Sequence, residues 1–225
     1  MSIEKNAEEI LKELKTGNPF GEKITLVAAT KTRTAEEINR VIAAGVPDVG
    51  ENRVQEFLEK FDAVRGGVRH FIGHLQTNKV KYLVGKIDLY HSVDRDELAL
   101  ELSKRSARAG IVSDVLLQIN IGCEESKGGY PLEEGLNALA RTKESDGLRV
   151  RGFMAMLPPA GDDEYKKSLC KKMRALFDEA RERSEHIDYL SMGMSGDWKL
   201  CVSEGANMIR VGTALFGTRV YGKQG

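Results

Sequence analysis

Cysteine is scarce in this chain of 225 residues. Cys123, Cys170 and Cys201 are the three present, and they lie far apart in sequence. An odd count with no metal-ligand spacing excludes a fully paired disulfide framework and a sequence-local zinc site. The expectation is reduced thiols in a cytoplasmic protein. An excess of one charge sign is also missing: 34 Lys+Arg balance 34 Asp+Glu. That balance removes the electrostatic case for nucleic acid or an anionic membrane as partner. No apolar run approaches the roughly 20 residues that a membrane helix needs. The N-terminal MSIEKNAEEILKEL is acidic and amphipathic, unlike a secretory signal. Low-complexity tracts and composition breaks are absent, so one domain is expected over residues 1–225. A hydrophobic share of 41% is enough for a sizeable core.

What the chain does contain is a regular alternation of β-like and helical segments. Ile3, Ala7, Ile10, Leu11 and Leu14 recur on one helical face, giving an N-terminal helix before the first strand. KITLVAAT (23–30) reads as that strand. Thr34 with Glu37 then forms a capping box, and Gly45 stops the helix it opens. Further strands are expected in PDVGEN, HFIGH, DLYHS, DVLLQIN, LRVRGFMAM, IDYLSMG and NMIRVG. Helices are expected between them: from about Val54, over LQTNKVKYLVG, after Asp94 with Glu97 as its capping pair, over PLEEGLNALARTK with Pro131 in the first turn, from Asp163 to Glu185, and over GDWKLCVSEG. Eight strands separated by helices predict an α/β fold, a (β/α)8 TIM barrel with an extra N-terminal helix. The competing open doubly wound sheet lacks its glycine-rich fingerprint after the first strand.

In a barrel, reactive groups sit at the C-terminal ends of strands. The first strand ends in LVAATKT (26–32). Side chains alternate along a strand, so Val27, Ala29 and Lys31 share one face, while Ile24, Leu26 and Ala28 share the other. The bulkier set suits the helices, which turns Lys31 inward. An amine in a partly dry barrel mouth is a nucleophile able to condense with a carbonyl. The competing reading is a lysine that snorkels to solvent. SMGMSGD (191–197) and RVGTALFG (210–217) follow the seventh and eighth strands, where barrels commonly bind phosphate. Ser195 either caps the following helix or offers its hydroxyl to an anion; Gly212 and Thr213 add a small-residue turn with backbone N–H groups. Arg210, in an otherwise apolar strand, needs either a structural ion pair or a ring nitrogen or carboxylate to face. An amine, a phosphate cup and a permanent cation together suit pyridoxal 5′-phosphate.

These motifs, in this order, resemble those of the pyridoxal phosphate homeostasis proteins, whose fold looks like the barrel domain of alanine racemase. LVAATKT, GENRVQE, HFIGHLQTNK, HSVD, QINIGCEESKGGY, SMGMSGD and RVGTALFG carry the resemblance over essentially the whole chain. The resemblance implies that Lys31 holds pyridoxal 5′-phosphate as a Schiff base and that Ser195, Gly212 and Thr213 hold its phosphate. It implies that Arg210 faces the pyridine nitrogen and that Asn52, His74 and Met194 line the pocket. Asn52 has a competing role as a helix cap, and His74 as a hydrogen-bonding group of the barrel rim. Phe153, Ala155, Cys201 and Val202 depart from the family pattern without falling on the lysine, the phosphate cup or Arg210.

The expected function is a carrier that holds the cofactor and passes it to apo-enzymes, working as a monomer or weak homodimer. Its main competitor is an amino-acid racemase; a lysine aldolase with a phosphate-bearing substrate is a third reading. Racemisation needs proton donors on both faces of the substrate carbon. Lys31 serves one face, no second domain is expected after the barrel to supply the other, and Tyr130 and Tyr165 read better as helix-end or surface residues. The charged segment 166–185 reads as a solvated helix face.

Overall fold

The computed structural model describes residues 2–124 and 127–217. The expected span of 1–225, and the QINIGCEESKGGY motif at Glu125 and Ser126, therefore extend in part outside the described residues. Eight strands form a closed parallel barrel in chain order. They are β1 Thr25–Ala29, β2 Asp48–Glu51, β3 Val68–Phe71, β4 Leu89–Val93, β5 Ser113–Ile119, β6 Leu148–Ala155, β7 Tyr189–Ser191 and β8 Met208–Val211. Closure comes from β1 against β8, where Val27 pairs with Arg210 and Ala28 with Val211. This is the expected (β/α)8 architecture.

The helices follow from the expected patterns with informative exceptions. Helix α1, Ile3–Leu14, buries Ile3, Ala7, Ile10 and Leu14, the face read from periodicity. Helix α2, Ala35–Ala43, starts with the capping box: Glu37 N donates to Thr34 Oγ1 and Thr34 N donates to a Glu37 carboxylate oxygen. It stops at Gly45, whose φ of 93° suits glycine. Helices α3 Val54–Lys60, α4 Asp96–Arg108, α5 Gly135–Lys143, α6 Asp163–Arg183, α7 Trp198–Ser203 and α8 Thr213–Phe216 complete the set. No helix among the described residues is long and apolar enough to cross a membrane.

Three expectations are corrected. LQTNKVKYLVG forms a 3-10 segment, Thr77–Tyr82, rather than an α-helix. Asp94 does not cap α4, because its carboxylate is taken by Arg95 and His74; Asp96 and Glu97 instead place acid charge at the helix start. Pro131 precedes a 3-10 turn, Leu132–Glu134, and α5 begins only at Gly135.

Inside the barrel, Val27, Leu89, Leu116, Met154 and Met208 pack together, with Ile72, Met156 and Tyr189 at the edges. Leu26, Ala28, Ile209 and Val211 face the helices with α1 and α2 residues. Ala29, two residues after Val27, therefore continues the inward face toward Lys31, as the alternation predicts. Strand β6 carries a bulge: Val150 pairs with Val115 but Gly152 with Leu116, so Arg151 is skipped and bonds to Asp114 and Asp188 instead. Gly152 has φ 140°, and a Cβ there would lie 1.9 Å from the Tyr189 carbonyl oxygen, so only glycine fits.

Candidate functional site

Lys31 stands on a turn that is braced on both sides. Before it, Thr30 Oγ1 donates to the Gly50 carbonyl at 3.1 Å and to Glu51 Oε2 at 3.2 Å. After it, Thr32 takes a left-handed conformation, φ 64°, unusual for a β-branched residue. Its N–H donates to Glu56 Oε2 at 2.7 Å. Lys60 ties the two carboxylates together, at 2.8 Å from Glu51 and 3.5 Å from Glu56, and also donates to the Thr30 carbonyl. Burial opposes the charge on Glu56, but the Thr32 N–H and the Lys60 ammonium outweigh it and hold the carboxyl below its usual range. Glu51 and Glu56 lie within the GENRVQE motif, but neither they nor Lys60 carry an expected role. The pattern that marks them is an acid at the end of β2 with an acid and a lysine four residues apart on α3.

Lys31, Met194, Ser195, Arg210, Gly212 and Thr213 surround one open cavity of about 240 Å³. Ala29, Arg33 and Gly196 also line it. Arg33 lay outside the expected set. It donates to the Gly217 carbonyl at 2.8 Å and stacks over Phe216, which fixes a second guanidinium at the cavity edge.

Ser195 does not cap α7. Asp197 immediately precedes that helix and turns its carboxylate back to accept the Met194 N–H at 2.6 Å. Ser195 Oγ reaches across to the next loop, accepting from Gly212 N at 3.2 Å and Ala214 N at 3.3 Å. The amides of the RVGTALFG turn are thus gathered at one point, with a hydroxyl over them.

Arg210 is buried on the inward face of β8, two residues beyond Met208. Nη1 donates to the Ser191 carbonyl at 2.9 Å and to Ser191 Oγ at 2.6 Å; Nη2 donates to the Ala155 carbonyl at 3.0 Å. It has no carboxylate partner among the described residues, so the ion-pair reading fails. Burial pulls its pKa down to about 10, which leaves it cationic at neutral pH. Three of its five N–H groups are used, leaving Nε–H and one Nη2–H.

Asn52 and His74 are not brought to this cavity wall. His74 is 64% exposed at the side chain and bonds through Nδ1 to Asp94 at 3.1 Å, a rim role. Asn52 caps no helix, since α3 follows Arg53 and has no side-chain cap. Its Oδ1 is buried with no hydrogen-bond partner. Ala29 pairs with Gly50, and a further two residues lead to Lys31 on one strand and Asn52 on the other. Cys170 and Cys201, distant in sequence, meet as buried free thiols with 3.9 Å between sulfurs.

Comparison with known proteins places the chain in a family. The family model for the alanine racemase N-terminal domain matches residues 2–220. The pyridoxal phosphate homeostasis protein of Aquifex aeolicus is 44% identical over 199 residues, which cover 87% of each chain. That of Escherichia coli strain K12 is 39% identical over 210 residues, covering 90% of this chain and 89% of that one. The chain belongs to the pyridoxal phosphate homeostasis protein family. Among solved structures, PipY of Synechococcus elongatus PCC7942 with PLP bound superposes with a TM-score of 0.81 at 31% identity, covering 94% of this chain and 100% of PipY. An alanine racemase of Clostridium difficile 630 shares the fold, with a TM-score of 0.76 at 15% identity, and this family member covers 58% of it.

Proposed function

We propose that this protein binds pyridoxal 5′-phosphate, holds it covalently through Lys31, and keeps it available to enzymes that require it. One observation carries the proposal: a primary amine, an amide-and-hydroxyl turn and a buried cation without a carboxylate border a single cavity. The residues fit the cofactor on two counts. Ser195 Oγ and the Gly212 and Ala214 amides that converge on it suit a phosphate, and the free N–H groups of Arg210 suit a ring nitrogen that stays unprotonated. The cofactor supplies an aldehyde that condenses with a primary amine. The protein's own part is to aim that amine, exclude the wrong orientation, and keep a cation at the far end of the ring.

The reading as a carrier rather than a racemase rests on the cavity wall. The guanidinium groups of Arg33 and Arg210 only donate hydrogen bonds, which leaves Lys31 as the acid–base group among the described lining residues. Tyr130 donates to Asp96 Oδ1 at 2.9 Å, and burial and that bond push its pKa well up. Tyr165 is an exposed residue of α6. Neither lines the cavity. The Aquifex and Escherichia relatives carry homeostasis in their names.

The test is the visible spectrum of protein mixed with the cofactor, followed by borohydride reduction and peptide mapping. Covalent label on Lys31, lost in Lys31→Ala, is the expected result; label retained elsewhere in that variant refutes the assignment. A robust racemase rate with free amino acids, abolished by Lys31→Ala, would overturn the carrier reading. Transfer to an apo-enzyme, followed by recovered activity of the recipient, tests delivery.

A further inference from the structure

Beneath Arg210, four inward side chains are unused by the cofactor site. With Arg210 they form a continuous row across the barrel from β2 to β8. Asp48 Oδ1 is 3.0 Å from His70 Nε2, and His70 Nδ1 is 2.8 Å from His91 Nε2. His91 Nδ1 is 3.3 Å from Ser191 Oγ, which is 2.6 Å from Arg210 Nη1. His91 and Ser191 have no solvent exposure, and His70 almost none. Each lies two residues from an inward apolar neighbour: Ile72, Leu89 and Tyr189 for His70, His91 and Ser191.

The two ends of the row constrain its proton order. A guanidinium only donates, and a carboxylate only accepts. Burial first, then His70 and the Arg210 charge, hold His91 well below the usual imidazole range, so it is neutral. Arg210 therefore donates to Ser191 Oγ, and in the proposed order the serine hydroxyl donates onward to His91 Nδ1. His91 Nε2–H donates to His70 Nδ1, and His70 Nε2–H donates to Asp48. Both imidazoles carry a proton on Nε2.

We propose that His91 is a positioning residue for Arg210: the row anchored at Asp48 turns the Ser191 hydroxyl so that its oxygen lone pairs face the guanidinium, fixing the guanidinium plane against the cavity. The arrangement also explains how a buried arginine is held without an adjacent carboxylate. Asp48 supplies the acceptor end of the row, but two imidazole rings and a hydroxyl separate its charge from Arg210, which leaves the arginine's charge uncompensated toward the cavity. The consequence for a bound ring rests on the cofactor reading above; the row itself belongs to the protein alone.

The experiment begins with cofactor-free protein labelled with ¹⁵N. Long-range proton–nitrogen correlation at neutral pH should show His70 and His91 as Nε2–H tautomers. A proton on His91 Nδ1, or a doubly protonated His91, overturns the proposal. His91→Leu should displace the Arg210 Nε–H resonance, and His91→Asn, whose Oδ1 can stand in for Nδ1, should restore it. An unmoved resonance in a folded His91→Leu protein also overturns it. Ser191→Ala removes the same contact with less change in volume and takes the place of His91→Leu if that variant does not fold. In loaded protein, His91→Leu should weaken cofactor binding about tenfold, the loss of one charge-assisted hydrogen bond, with partial recovery in His91→Asn. If wild-type protein shows no visible band, the cofactor reading fails while the tautomer and resonance tests still decide the row.

Discussion

Ser195 Oγ accepts the N–H of Gly212 from 3.2 Å away, so the loop after β7 is latched to the loop after β8. A second amide, of Ala214, converges on the same oxygen. The latch holds two donors in a preset orientation, which lowers the ordering cost when an anion arrives.

Ser195→Ala should therefore weaken cofactor binding by about tenfold, near 1.4 kcal/mol, while leaving the covalent link at Lys31 intact. Equilibrium titration of the visible band against cofactor concentration measures it. Free phosphate should compete with cofactor less well in the variant than in the wild type.

Glu56→Gln tests the brace behind Lys31. The variant keeps an acceptor for the Thr32 N–H but loses the charge that faces Lys60. A partial loss of stability, about 0.5–1.5 kcal/mol by denaturant unfolding, and a slower rise of the Lys31-dependent visible band are expected. Thr32→Asn should act in the opposite sense on stability, because asparagine tolerates the left-handed backbone at this position better than threonine.

Acid sensitivity should centre on Glu22. Burial disfavours its charge, but hydrogen bonds from Arg174 and Asn18 and the charges of Arg174 and Arg181 outweigh this and hold its pKa below normal. A carboxyl with a lowered folded pKa contributes stability that is fully present above its unfolded value, about 4.3, and is lost as pH falls through the folded value. Glu22→Gln should cost about 1–2 kcal/mol at neutral pH, less than a fully buried pair because Arg181 is exposed. The variant's stability should fall less steeply than wild type in the acid range.

Gly152→Ala should be among the most damaging single substitutions. The added methyl meets the Tyr189 carbonyl, and the backbone angle is unfavourable as well. A loss above about 3 kcal/mol is expected in chemical denaturation. Gly66→Ala, with φ 75° but no atom within 4 Å of the added carbon, is the control for backbone strain without collision.

The barrel was legible because its signals are local. Alternation through Val27 and Ala29 assigns the inward face, and Thr34 with Glu37 marks a helix start that the structure repeats atom for atom. Capping was misread where a side chain had a better tertiary partner. Asp94 is drawn to His74 and Arg95, and Ser195 to amides 17 and 19 residues away. The same holds for the site. Lys31, Ser195 and Arg210 announce themselves by type and place on a strand end. Glu56 and Lys60 look like ordinary helix-surface charge, and Glu51 like a strand-end acid, until folding sets them behind the lysine turn. The row from Asp48 to Arg210 uses one residue from each of five strands, so no window of sequence contains it.

Closure of the barrel by β1 against β8 joins residues 27 and 210 as direct neighbours. The amine and its cradle therefore come from opposite ends of the described chain. A chain emerging from the ribosome carries Lys31 early, but as a solitary amine with no cup and no cation. Only with β8 paired to β1 do the cup and the cation stand beside that amine. Retention of the cofactor at the proposed site is therefore expected to require a closed barrel, whereas an unclosed chain offers only isolated amines.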